Sequence, residues 1–337
     1  MIDYRSDTVT KPSPEMLSAM MSAPVGDDVF GEDPSVTRLE EMSANLFGCE
    51  AGLYCPSGTM TNQIAIKCHT QPGDEVICDR LSHVYIYEGG GIAFNSLCQV
   101  KPIEGNRGRI NAAQIEAAVN PGDVHKAVTR LVSIENTANR GGGSCYDVDS
   151  IREIKKVCEK HNLKLHLDGA RIFNAIIARK EDASEYGEMF DSISLCLSKS
   201  LGAPVGSVLL GDKNLIARAR RIRKVFGGGM RQAGYLAAAG IFALENNIER
   251  LSIDHLHAGQ VSEILARQSF VAEILPVETN IIIFEVFGAY TANALADRFR
   301  EQGILLFPIS STQIRMVFHL DITERMVNDT ISVIERL

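Results

Sequence analysis

Short apolar runs and longer amphipathic stretches alternate through the first two thirds of the chain. The runs GLYC near residue 53, EVICD (75–79), LCQVKPI (97–103), RLVSIE (130–135), LKLHLD (163–168), SISLCLS (192–198) and GSVLLG (206–211) have strand length and little polar alternation. Most are separated by stretches with helical spacing. In DVDSIREIKKVCEKH (147–161), Ile151, Ile154, Val157 and Cys158 share one face, and Asp147 stands where an N-cap belongs. Strands that are apolar throughout and joined by helices predict an α/β fold, with a mostly parallel sheet covered on both faces.

After Arg231 the pattern changes. QAGYLAAAGIFALENNIERL (232–251) reads as one long Ala-rich helix, and a second helical stretch runs to about residue 268. IIIFEVF (281–287), a helical stretch (291–302), IRMVFH (314–319) and a last helix from about residue 323 then make a smaller α+β unit. The predicted organisation is an N-terminal segment plus large domain over 1–245 and a small C-terminal domain over 246–337.

Composition narrows the function. The chain has 337 residues and a formal net charge of −8, so it offers no basic field for nucleic acid. The basic run ARARRIRK (217–224) has helical spacing and reads as a solvated face or a subunit contact. The start, MIDYRSDTVT, is charged where a signal peptide would be apolar, and no run has the length of a membrane span. Eight cysteines at irregular spacing, several within apolar runs, read as reduced core thiols of a cytoplasmic protein. No CxxC or HxxxH pair occurs, so no metal site is expected.

In an open parallel sheet, ligands gather beyond the carboxyl ends of the strands. Three polar signals fall there. Lys199 stands between two apolar runs in SLCLSKSLGAPVGSVLLG (194–211), Asp168 ends LKLHLD, and Gly58-Thr59 follow GLYC where a helix should begin. Each has a bland reading: a surface lysine, an aspartate paired with Arg171, a turn. Together they suit one ligand. A lysine that loses its charge can condense with a carbonyl. A carboxylate can hold a protonated pyridine nitrogen, and backbone N–H groups at a helix start can bind a phosphate. Pyridoxal 5′-phosphate needs all three.

The segments DYRSDTVTKPSPEM, GDDVFGEDPSVTRLE, PSGTMTNQIA, HVYIYEGGG, IENT, HLDGARIFNA, CLSKSLGAPVGS, GGGMRQAG and IRMVFHLD, in that order from residue 3 to about 321, resemble the low-specificity L-threonine aldolases. These are fold type I pyridoxal-phosphate enzymes, like aspartate aminotransferase. Between about 245 and 310 only ETN (278–280) is similar. The resemblance implies that Lys199 binds the cofactor covalently, Asp168 pairs with its ring nitrogen, and Gly58, Thr59 and Ser198 hold its phosphate. His83 would lie over its ring, while Ser6, Arg171 and Arg315 grip the substrate carboxylate. His125 or His83 would take the proton of the substrate β-hydroxyl. Lys224 and Arg231 would reach a neighbouring subunit's phosphate in a homotetramer built as a dimer of dimers. Ala138 and Gly89 depart from the histidine and glutamine often found in this family.

The implied reaction is retro-aldol cleavage of L-threonine or L-allo-threonine to glycine and acetaldehyde. The alternatives are a β-eliminating lyase, an aldolase for bulkier substrates such as phenylserine, a transaminase, and a cofactor-binding protein without turnover.

Overall fold

The apolar runs become the core of a seven-stranded sheet. The structure, a computed structural model, describes residues 1–337. The chain opens with β1 (Ile2–Asp3), α1 (Pro14–Met21) and α2 (Pro34–Leu46). It continues through β2 (Ala51–Cys55), α3 (Gly58–His69), β3 (Asp74–Asp79), α4 (His83–Ile86), α5 (Gly91–Ser96), β4 (Gln99–Ile103) and α6 (Ala112–Ala118). Then come β5 (Val128–Glu135), α7 (Val148–Lys160), β6 (Lys164–Gly169), α8 (Ile172–Arg179), α9 (Ala183–Met189), β7 (Ser192–Cys196), β8 (Ser207–Gly211) and α10 (Lys213–Val225). In space the strands run β2-β8-β7-β6-β5-β3-β4. Only β8 opposes its neighbours; β7, β6, β5, β3 and β4 pair in parallel. Strands β3, β7 and β8 are buried along their whole length, which explains their lack of polar alternation.

The remainder is α11 (Gly234–Asn246), α12 (Leu251–Leu265), β9 (Val271–Ile274), β10 (Ile281–Val286), α13 (Ala292–Glu301), β11 (Ile304–Leu305), β12 (Phe307–Pro308), β13 (Gln313–Val317) and α14 (Glu324–Ile334). A four-stranded antiparallel sheet, β12-β13-β10-β9, packs against α12 and α13, and α14 packs on α12. The chain's start joins this unit. Strand β1 pairs in parallel with β11, Tyr4 lies in the same apolar core, and its ring sits 4.8 Å from that of Phe318.

Two sequence-based boundaries shift. The helix expected over 232–251 is shorter, Gly234–Asn246, and ends where Asn247 caps it and turns its buried amide to donate to the Leu201 carbonyl at 2.7 Å; the second helix starts at Leu251. The strand expected from 97 begins at Gln99, because Leu97 closes α5 with a left-handed φ of 58° and stands exposed. Asp147 does cap α7, accepting from the Ser150 N–H at 2.7 Å.

Candidate active site

The carboxyl edge of the large sheet meets the small unit at a cavity of about 250 Å³, lined among others by Ser6, His83, Tyr87, Arg171, Lys199 and Arg315. The topology delivers these groups. Strand β6 ends at Asp168, Arg171 precedes α8, and Lys199 sits in the turn joining β7 to β8. His83 opens α4 after β3, while Arg315 reaches in from β13, where it pairs with Ile283. Ser6 caps the turn at 7–9 by accepting from the Thr8 N–H at 3.3 Å, and it also lines the cavity.

Asp168, beside the cavity-lining His83, lies in a buried polar network. Its Oδ1 accepts from the Ala170 N–H at 3.2 Å and its Oδ2 from Asn62 Nδ2 at 3.0 Å. Asn62 Oδ1 meets His166 Nε2 at 3.1 Å, and Ser192 Oγ lies 2.8 Å from both His166 Nδ1 and His69 Nε2. Burial pulls His166 down to about 4 and His69 to about 3, so both rings are neutral near pH 7. Lys199 lines the same cavity as His83, and an Asp168 carboxylate oxygen lies within 4.8 Å of a His83 ring nitrogen. Burial opposes the His83 cation. Its bond to Glu88 and the nearby Asp168 carboxylate outweigh that and hold it above the usual imidazole range.

The cationic wall is unequal. Arg171 is buried and gives Nε and Nη2 to Asp7, both at 2.7 Å, and Ser200 Oγ adds a bond to Asp7 at 3.0 Å. Burial opposes both charges of this pair; the partners outweigh it, holding the Asp7 carboxyl well below its usual range and raising Arg171. Arg315 has no carboxylate. It donates to Asn139 Oδ1 at 2.7 Å and the Arg5 carbonyl at 3.0 Å, stacks on Phe307 and leaves a buried Nε without a partner. Burial, then Arg171, lower it to about 10. A buried cation with an unmet N–H attracts an anion such as a carboxylate.

Pyridoxal 5′-phosphate fits these residues. At the first turn of α3, the N–H groups of Gly58 and Thr59 have no acceptor within the helix. The buried Ser207 Oγ has no partner, and a Cβ placed on Gly58 would stand 3.5 Å from it. These donors lie together beside β8, at the kind of helix start that suits a phosphate. Ser198, half-buried next to Lys199, has its Oγ 3.6 Å from Cys196 Sγ.

Three other residues named from the sequence lie elsewhere. His125 sits on an exposed turn before β5, with Nδ1 2.8 Å from Asp123 Oδ1 and its side chain 87% exposed. Glu135, at the cavity, ends the same strand, so roughly 25 Å of extended chain separates them. The expectation that His125 faces the substrate is therefore not met within its own chain. Lys224 lines a separate groove of about 470 Å³ with Asp28, Arg220 and Gly229. Arg231 pairs with Asp27 at 2.9 Å.

Four groups at the site were not singled out in the sequence: Asp7, Asn62, Glu88 and Glu135. Glu135 accepts from the N–H groups of His83 at 2.8 Å and Asn139 at 2.9 Å, and so ties the imidazole to the residue that holds Arg315. Burial, then Asp168, push its carboxyl up. All four lie within the quoted motifs, but their roles depend on partners brought together by folding.

The model of the family described as beta-eliminating lyase matches residues 3–287. The low specificity L-threonine aldolase of Escherichia coli K12 is 42% identical over 328 residues, 97% of this chain and 96% of that protein. Low-specificity L-threonine aldolase 1 of Arabidopsis thaliana is 40% identical over 338 residues, 98% of this chain and 94% of that one. Among solved structures, the threonine aldolase of Leishmania major superposes with a TM-score of 0.86 at 20% identity, covering 100% of this chain and 99% of that one.

Proposed function

The chain belongs to the beta-eliminating lyase family and, within it, to the low-specificity L-threonine aldolases; from that premise we propose that it cleaves L-threonine and L-allo-threonine to glycine and acetaldehyde with pyridoxal 5′-phosphate. The observation that carries this reading is the gathering of His83, Lys199 and Arg315 on one cavity, with the Asp168 carboxylate beside His83 and an Arg315 Nε that has no partner.

When bound, the cofactor accepts the electron pair released as the Cα–Cβ bond breaks. Lys199 holds its aldehyde, Asp168 its ring nitrogen, and Gly58, Thr59, Ser207 and Ser198 its phosphate. Arg315 binds the substrate carboxylate through its free N–H groups. Arg171, its charge balanced by Asp7, adds an N–H from the wall, and Ser6 adds a hydroxyl. This clamp sets the rotation of the Cα substituents and turns the bond to be broken toward the electron sink, which is catalysis by orientation. His83 takes the β-hydroxyl proton on Nε2, the carbonyl of acetaldehyde forms, and a proton returned to Cα completes glycine.

The functional unit is at least a dimer, and we favour a tetramer. Phe30 and Val225, 74% and 81% exposed, are large apolar side chains beside the Lys224–Arg231 region, and such exposure marks a contact surface. No helix is long and apolar enough to cross a membrane. All eight cysteines are unpaired, which supports a reducing compartment such as the cytoplasm.

The test is a product assay on the holoenzyme. L-Threonine should yield equimolar acetaldehyde and glycine, and Lys199→Ala should abolish turnover. Ammonia with a keto acid would identify an eliminating lyase. Cofactor uptake with no product from threonine, allo-threonine or phenylserine would leave a binding protein and refute the aldolase.

A further inference from the structure

Glu88 has a side chain with no exposure at all, although it lies in the loop YEGGG and pairs with no lysine or arginine. Three N–H donors converge on its carboxylate: His83 Nδ1 at 3.0 Å, Asn62 Nδ2 at 2.9 Å and Gln63 Nε2 at 2.6 Å. The loop is shaped for this convergence. A Cβ on Gly91 would stand 2.6 Å from Gln63 Cδ, so any larger residue there would push aside the amide that holds Glu88.

These bonds decide where the proton of neutral His83 lies. A carboxylate only accepts, so the Nδ1 facing Glu88 carries the hydrogen. The same logic fixes Asn62. Its Nδ2 serves Glu88 and Asp168 together while its Oδ1 meets His166 Nε2, and the reversed amide would turn its oxygen on two carboxylates. Neutral His83 therefore keeps Nε2 bare. That nitrogen makes no bond within the chain, on a ring that lines the cavity. The charged groups around the ring are Glu88 and Asp168, which favour the imidazolium, Lys199, which opposes it, and Glu135, which holds the His83 N–H.

We propose that Glu88 is a positioning residue for the cleavage: it locks His83 in the Nδ1–H tautomer, presents Nε2 to the substrate hydroxyl, and sets the pH below which that nitrogen is lost to protonation. This rests on the reading of His83 as the proton acceptor. Glu88 touches neither substrate nor cofactor and acts only through the imidazole. A glutamine in its place can donate an amide N–H to Nδ1, which would drive the ring proton onto Nε2 and point it the wrong way.

Neutron diffraction from holoenzyme crystals reads the tautomer directly, and the pH profile of kcat/KM reads its consequence. In the unsubstituted enzyme, deuterium should sit on His83 Nδ1, and the acid limb should have its midpoint above the ordinary imidazole value of ~6.5. In Glu88→Gln the deuterium should move to Nε2, the acid limb should shift to lower pH, and the plateau should fall about 100-fold or more, the scale of losing a positioned base. Glu88→Asp, which keeps the charge, should recover the Nδ1–H tautomer. Deuterium on Nε2 in the unsubstituted enzyme overturns the proposal even if the variants fail to fold, as does an unmoved tautomer or acid limb in Glu88→Gln. If His83→Asn retains full activity, the role of His83 as base fails instead, a result the diffraction measurement does not depend on.

Discussion

Asp7 takes two of the five guanidinium N–H groups of Arg171, while Arg315 keeps Nε free, so two arginines on one cavity have different jobs. Arg315→Lys should lose the planar fork and with it about 1.5–3 kcal/mol of binding, roughly a 10–100-fold fall in kcat/KM for L-threonine, with a higher KM in steady-state kinetics. Asp7→Asn leaves a buried cation unpaired and should cost about 3–5 kcal/mol in urea unfolding. The pair also gives a pH dependence. The folded carboxyl of Asp7 titrates below its unfolded value of ~3.9, so its stabilisation is complete above that pH and fades as pH falls toward the lowered folded value. The unfolding midpoint should therefore drop less steeply from pH 5 to pH 3 in Asp7→Asn than in the unsubstituted protein. Lys199 and Asp168 stood out in the sequence because each interrupts or ends an apolar run, whereas Arg171 and Arg315 were pointed to by the family resemblance. Asp7 did not stand out. It is one acid in a charged N-terminal stretch until folding brings Arg171 from 164 residues away.

Elements read from sequence as well as their local physics allowed. The strands of the large sheet were visible because most are buried over most of their length and so read as apolar runs, although the edge strand β4 is largely exposed. The start of α7 was visible because its cap is a side chain at a fixed offset. Asp147→Ala should cost about 1 kcal/mol in thermal or urea unfolding and leave kcat unchanged, since α7 has no residue at the cavity. The break at Asn247 was hidden because it answers a carbonyl at Leu201, on another element. Strand β1 was hidden for a simpler reason: two residues cannot display a period. The cradle at α3 was only half legible. SGT signals a helix start, but the unpartnered Ser207 comes from β8, and Ser207→Ala should weaken pyridoxal 5′-phosphate binding about 5–10-fold in a fluorescence titration, the loss of one hydrogen bond to an anion.

At the scale of the molecule, the site draws on both ends of the chain, with Ser6 and Arg315 on one cavity. If the Lys224–Arg231 face is a subunit contact, Phe30→Asp should shift sedimentation to a smaller species and lower activity together. A fully active dissociated form would remove that face from the functional unit. His125 shows the limit of reading one chain: its motif points to chemistry, while the fold sets it at the far end of β5 from its own cavity.

The β1–β11 pairing also governs timing. Residues 2 and 3 are made early in synthesis, yet the strand they join lies at 304–305, and the carbonyl of Arg5 waits for Arg315. During translation the first few residues must stay unclaimed while nearly the whole large sheet can assemble behind them. Until residues 304–315 have been made, neither the β1–β11 pairing nor the Arg5–Arg315 contact can form. The cavity shared by Ser6, Lys199 and Arg315 is thus closed only once these two distant stretches of the chain meet.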